Sequence, residues 1–268
     1  MIINPYVYSG VSIDADATAF ITAAGITDNT QKTAINQLVI DLKSYGIWTK
    51  MKAIYPLVGG TSTTHKWNLK DPQDTNAAFR LSFNGGLTHS SSGILGNGTN
   101  GWIDTFLNTS TQYSSAYDLS LIANIYTDWV TTGLTQTHIG NSISTSSQYR
   151  IESGNSTTER SAMGTNGNSI SKTVTSTTHK GFWGASRTAN NVHNFIDPTG
   201  TINSNTTAIA ATLPNATIGL IGRRNASVTD FYSAFGYSFF AIGLGLSTTE
   251  LTNFKTSVGN FQSTLGRI

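Results

Sequence analysis

Only a few side chains in this sequence could carry chemistry. There are three glutamates, Glu152, Glu159 and Glu250, and five histidines, at 65, 89, 138, 179 and 193. Glycoside hydrolysis needs two carboxylates flanking the scissile bond, one acting as acid and the other as base or nucleophile. Glu152 and Glu159 stand seven residues apart across Gly154 and Asn155, so a hairpin could bring them together; solvation at the surface is the plainer reading. Glu250 follows Ser247 by three residues, the spacing of a helix capping box. The histidines are scattered and show no His-x-x-x-His spacing, so no metal site is expected. Asp14 and Asp16 hint at calcium, but no glycine at the sixth place and no closing glutamate follow. Gly96-Asn97-Gly98 lacks the Gly-Lys-Ser/Thr of a phosphate loop, and Ser161 sits in no nucleophile elbow. No cofactor is expected. Sugar binding remains open, since it needs aromatic faces with a few polar partners. The candidates are Trp102, Tyr149, His179, Trp183 and Arg187, and the two tryptophans also read as core residues.

The elements that must hold such groups come from composition and period. Charged residues make up 11% of the 268, against roughly 25% in an average soluble chain. Ser, Thr, Asn and Gly take their place, which suits strands and tight turns. The formal charge is +2 with no basic run, which argues against a nucleic-acid partner. There is no cysteine, and no apolar run reaches membrane-spanning length. The opening MIINPYVYSG lacks the charged segment and apolar core of a secretory signal, so action outside a cell would need another exit, of which release by lysis in a virus particle is one.

Residues 1–12 read as an extended arm. Apolar spacing predicts a helix pair over about 13–25 and 29–45, ended by Gly25 and Gly46. The period then becomes two. Residues 47–58, HKWNLK (65–70) and AFRLSFN (78–84) read as strands, and 84–101 as turns or a long loop. Further strands are expected at 102–107, 119–127, 136–140, 147–152, 169–175, 179–187, 191–196, 201–203 and 216–222, with Asp197-Pro198-Thr199-Gly200 as a turn. FYSAFGYSFFAIGLGL predicts a buried strand. Leu251, Phe254, Val258, Phe261 and Leu265 then share one face of a closing helix. The predicted fold is all-β: an antiparallel two-sheet sandwich over 47–268, with an N-terminal arm and helix pair over 1–46 and a C-terminal helix.

The ending FFAIGLGLSTTELTNFKTSV resembles the close of concanavalin-like and laminin-G-like jelly rolls, and NVHNFIDPTGTI resembles one of their hairpins. GILGNGTNGWIDT is similar to the segment that precedes a sheet edge in such domains. The stretch from ATAFITAAGITDNTQ to HKWNLKDP resembles a module of bacteriophage virion proteins of the tail, baseplate or fibre kind. Together these cover about half the chain. The resemblance implies a phage structural protein located in the virion, with other virion proteins as partners, assembled as a homo-oligomer (a trimer is the expectation) and binding a host-surface glycan, without enzymatic activity. The alternative is a carbohydrate-active glycoside hydrolase of the same sandwich fold.

Overall fold

The computed structural model describes residues 13–127, 135–155, 157–166, 169–174, 179–226 and 228–267; the arm expected over 1–12 lies outside them. Helices α1 (Ala15–Ala24) and α2 (Asn29–Ser44) form where the apolar spacing places them. Asp14 caps α1 by accepting the Asp16 N–H, and Gly25 ends it in the left-handed conformation that costs glycine least. Asp28 caps α2 through the Gln31 N–H. Lys43 of α2 reaches Asp14 at 2.7 Å and Asp16 at 2.6 Å, tying the two helices together.

The strands follow in chain order: β1 (Met51–Tyr55), a one-turn helix α3 (Ser62–His65), β2 (Ser82–Asn84), β3 (Leu87–Ser90), β4 (Gly93–Gly96) and β5 (Trp102–Asn108). After the short α4 (Thr109–Gln112) come β6 (Leu119–Ile125), β7 (Gln136–Ser144), β8 (Ser147–Asn155), β9 (Thr158–Gly164) and β10 (Ile170–Thr173). Next are β11 (Gly181–Ala189), β12 (Val192–Ile196), β13 (Ile202–Asn205), β14 (Thr217–Leu220), β15 (Arg223–Asn225), β16 (Val228–Asp230) and β17 (Gly236–Gly243). Helix α5 (Thr248–Thr264) closes the chain.

Two sheets result. The first runs β13-β12-β11-β6-β17-β4-β3, with β1 also on β17; the second runs β10-β9-β8-β7-β14-β5-β2, with the β15–β16 hairpin attached. Among the described residues every pairing is antiparallel except the single bridge between Arg224 and Asn141. The inner faces meet over Leu121, Ile125, Ile139, Ile151, Trp183, Ile218 and Phe240. The far face of the first sheet carries Ile122, Phe182, Phe239 and Ala241, which pack against α1, α2 and α5. Because β17 is covered on both sides, every residue of its run is buried and apolar side chains occupy both faces, with Ser238 as the polar exception, accepting from Asn124 Nδ2. In α5, Ser247 and Glu250 complete the expected capping box, and Glu250 also meets Lys50 at 2.7 Å.

Three expectations are corrected. Residues 65–70 form no strand. The Asn68 side chain satisfies the backbone there, accepting from Ile54 and Lys70 N–H and donating to the Lys52 and Ala78 carbonyls. His65 ends α3, and the stretch after it is a loop folded over β1, with Asn68 and Leu69 buried and the Leu69 N–H donating to the Ile54 carbonyl at 2.8 Å. In 78–84 only β2 is extended, because Phe79 turns left-handed at φ 58. The stretch 84–101, expected as turns, holds β3 and β4; a Cβ at Gly93 would fall 2.0 Å from the Tyr237 carbonyl, so glycine lets β4 close on β17. The Asp197–Gly200 turn forms as expected, with Gly200 N–H donating to the Asp197 carbonyl at 2.9 Å.

Candidate functional site

Four of the five predicted sugar-binding residues lie between the sheets. Tyr149, His179, Trp183 and Arg187 are each 0% exposed, and none can serve as a surface platform. The Tyr149 hydroxyl donates to the Ala116 carbonyl at 2.6 Å. Trp183 stacks on Phe195 and donates its indole N–H to the His179 carbonyl. The Arg187 guanidinium donates to the carbonyls of Met163, Ala189, Asn190 and Ile209, and lies over the Tyr117 ring. A sandwich interior that must satisfy buried polar groups draws on the same residue types as a sugar site, which is why sequence alone did not separate them.

The two carboxylates of the hydrolase alternative face opposite sides of the second sheet. In the β8–β9 register Glu152 pairs with Arg160 and Ser153 with Glu159. Residues paired across strands share a face, so Glu152 lies on the outer side and Glu159 on the inner; both are buried, which corrects the expectation that they are solvated at the surface. Glu152 meets Arg150 at 2.7 Å and Arg160 at 2.5 Å. Glu159 accepts from His138 Nε2 at 2.9 Å and His179 Nδ1 at 2.7 Å. His138 Nδ1 is 2.6 Å from the Tyr237 hydroxyl, which is 2.6 Å from Ser233 Oγ. Burial opposes ionisation of Glu159, but the charges and hydrogen bonds of the two imidazoles prevail and hold its pKa below the usual glutamate value. Burial drives the Tyr237 pKa well above that of a free phenol. These groups form a hydrogen-bonded network of fully buried side chains in the core. Among the described residues no three His, Asp or Glu side chains gather as metal ligands.

Trp102 stands elsewhere, on the outer face of the second sheet. In β5 the side chains of Ile103, Thr105 and Leu107 are buried while those of Trp102, Asp104, Phe106 and Asn108 are half-exposed, a strict alternation. Across the β2 edge, Asn84 lies opposite Trp102 and Ser82 opposite Asp104. On the other side Gly219 lies opposite Asp104. Gly219 is needed there because a Cβ would come 2.7 Å from the Gly222 carbonyl oxygen and 2.9 Å from Arg224 Cγ, so the chain from Gly222 to Arg224 packs directly on the bare backbone. Its guanidinium reaches 4.6 Å from the centre of the Trp102 ring, and Nη1 donates to Thr229 Oγ1 at 3.1 Å. A Cβ at Gly222 would touch Thr229, Trp102 and Tyr232 together, which places these three side chains around one point.

Beyond Ser82 the face continues into a groove of about 330 Å³ lined by Ser62, Thr63, Lys66, Arg80, Ser82 and Phe83. Lys66 and Arg80 share Asp74, at 2.5 Å and 3.6 Å. Phe106 adopts φ 56, its N–H donating to Asp104 Oδ1 at 2.9 Å, and lies 5.9 Å under the Arg80 guanidinium. A left-handed phenylalanine costs of order 1–3 kcal/mol and concentrates where a surface has a task. The strip thus joins indole and phenyl faces to hydroxyl, amide, carboxylate and guanidinium groups, most of them on paired strands. Sequence reasoning missed Asn84, Asp104, Thr229 and Arg224 as members of one site. The usable signal was the alternation of β5, which puts Trp102 and Asp104 on one face.

Neither a protein-family model nor a curated protein sequence matches the chain. The likeness to known proteins lies in the fold. A mutant of Trypanosoma rangeli sialidase displaying trans-sialidase activity aligns with TM-score 0.54 at 12% identity, over 86% of this chain and 39% of that one. The binding domain of botulinum neurotoxin DC in complex with SialylT aligns with TM-score 0.54 at 10% identity, over 79% and 52%. The botulinum neurotoxin serotype D binding domain gives TM-score 0.51 at 12% identity, over 77% and 50%. The chain therefore spans between two fifths and about half of the length of these structures. It has an antiparallel two-sheet β-sandwich fold with a C-terminal helix, of the kind found in these sialidase and toxin chains.

Proposed function

We propose that this chain is a glycan-binding sandwich module of a bacteriophage virion protein, of the tail, baseplate or fibre kind, which holds a host-surface sugar and acts by binding without catalysis. The observation that carries the binding reading is the half-exposed Trp102 ring, with the Arg224 guanidinium 4.6 Å from its centre and Asn84, Asp104 and Ser82 in register beside it. A flat indole takes the apolar face of a pyranose, while the amide, carboxylate and hydroxyl groups take its hydroxyls. The fold lends support, since one of its structural neighbours is a toxin binding domain in complex with SialylT. Fold alone does not assign a ligand. The virion assignment draws on the likeness of the N-terminal stretch to phage modules, and on a surface poor in charge and rich in Ser, Thr and Asn. Its partners are then other virion proteins and further copies of itself, taken here as a trimer.

The hydrolase reading has less support, because Glu152 and Glu159 lie on opposite faces and each is engaged by cations or imidazoles. The purified protein on an array of bacterial surface polysaccharides tests binding; retention on several related glycans without release of reducing ends is the expected result. Binding to none overturns the glycan reading, and release of reducing ends overturns the non-catalytic one. Antibody labelling of intact particles tests the virion assignment, and light scattering tests the trimer; unlabelled virions or a strict monomer at high concentration would remove those parts.

A further inference from the structure

The outer face of the second sheet is unevenly neutralised. Arg223 is answered by Asp230 through two parallel bonds of 2.8 and 2.7 Å. Arg150 and Arg160 share Glu152, while Lys66 and Arg80 share Asp74. Arg224 differs: among the described residues no carboxylate lies within ion-pair distance of it, its hydrogen-bond partner is the neutral Thr229 hydroxyl, and its buried Nε has no partner. Asp104, on the same face, turns Oδ1 to the Phe106 N–H. Thr217, two residues before Gly219 on the outer side of β14, also leaves its hydroxyl without a partner. A desolvated guanidinium donor without an acceptor is costly, and its fork matches a carboxylate in a way a neutral hydroxyl does not.

We infer that the glycan taken by this face is acidic, with a sugar carboxylate docking on Arg224 beside the Trp102 ring. This rests on the glycan-binding reading above and narrows it to one ligand chemistry. The carboxylate completes the Arg224 hydrogen bonding and leaves the sugar ring over the indole. Asn84, Asp104 and Ser82 then read the hydroxyls along the strand pair. The docking is charge-assisted, so affinity falls as salt rises.

The test uses the full chain on bacterial surface polysaccharides printed in native acidic form and after carboxyl reduction, beside neutral polysaccharides. The expected result is binding to acidic forms that drops about tenfold or more on carboxyl reduction, with a similar loss for Arg224→Gln. Arg224→Lys, which keeps the charge and loses the fork, should retain part of the affinity. Melting curves of both variants separate lost binding from lost folding; if Arg224→Gln unfolds, the wild-type comparison of native and reduced glycans decides alone. Equal binding to native and reduced forms, or binding confined to neutral glycans, overturns the acidic inference and leaves the glycan reading standing. Binding to nothing on the array removes both.

Discussion

Glu159→Gln is the sharpest perturbation of the core. The wild-type carboxylate accepts from His138 at 2.9 Å and from His179 at 2.7 Å, with all three side chains fully buried. Glutamine keeps one carbonyl acceptor and turns an NH2 toward the other imidazole, so one charge-assisted bond goes and a donor faces a ring nitrogen. Losing such a bond and leaving its partner desolvated costs about 3 kcal/mol. In a chain of this size that lowers the melting temperature by about 6–12 °C. The pH dependence supplies a second check. A carboxyl whose folded pKa is depressed contributes stability above its unfolded pKa, and loses it as pH falls through the folded value. The Glu159 pKa lies below its ordinary 4.5. The gap between wild type and variant, measured by thermal and urea unfolding, should therefore be full at pH 7 and narrow progressively below 4.5. A variant as stable as wild type at pH 7, or a gap that stays constant down to pH 3, would refute the reasoning.

Two further predictions address the elements that support the site. Phe254 is fully buried and meets Phe182 and Phe239 at ring-centre distances of 6.0 Å, so Phe254→Ala should cost about 4 kcal/mol in urea unfolding. A loss under about 1 kcal/mol would mean that α5 does not cover the first sheet. Asn68→Ala removes four hydrogen bonds to the backbone around β1, and should speed amide exchange at Ile54 and Lys70 while destabilising by about 3 kcal/mol. Unchanged exchange at those two amides would show that the loop over β1 is held by something else.

What the sequence disclosed and what it hid follow from which forces leave a local trace. The helices were legible because their signals are local: the apolar spacing, the Gly25 stop and the Ser247–Glu250 box each act within a few residues. The β17 run was legible because both faces of that strand are apolar. Strand β9 escaped notice because its inward positions include Glu159 and Ser161, polar groups satisfied by His138, His179 and His193 from distant strands. Chain-distant pairing of this kind has no sequence period. For the same reason Tyr149, His179, Trp183 and Arg187 could be offered as sugar-binding candidates although their partners lie inside; the core reading of Trp183 is the one that holds. In the candidate site, Trp102 could be read from β5, but Arg224 reaches its ring from β15, far away in the chain, a tertiary contact with no sequence signal.

The central claim is that the Trp102 face holds a sugar, and Trp102→Ala tests it most directly. Trp102 is half-exposed at a strand end, so its removal should leave the sandwich folded. With wild type and variant compared by interferometry on an immobilised glycan that the wild type binds, the account predicts a loss of at least about tenfold in affinity with the far-UV spectrum preserved. Equal affinity of the two proteins for that glycan would contradict it.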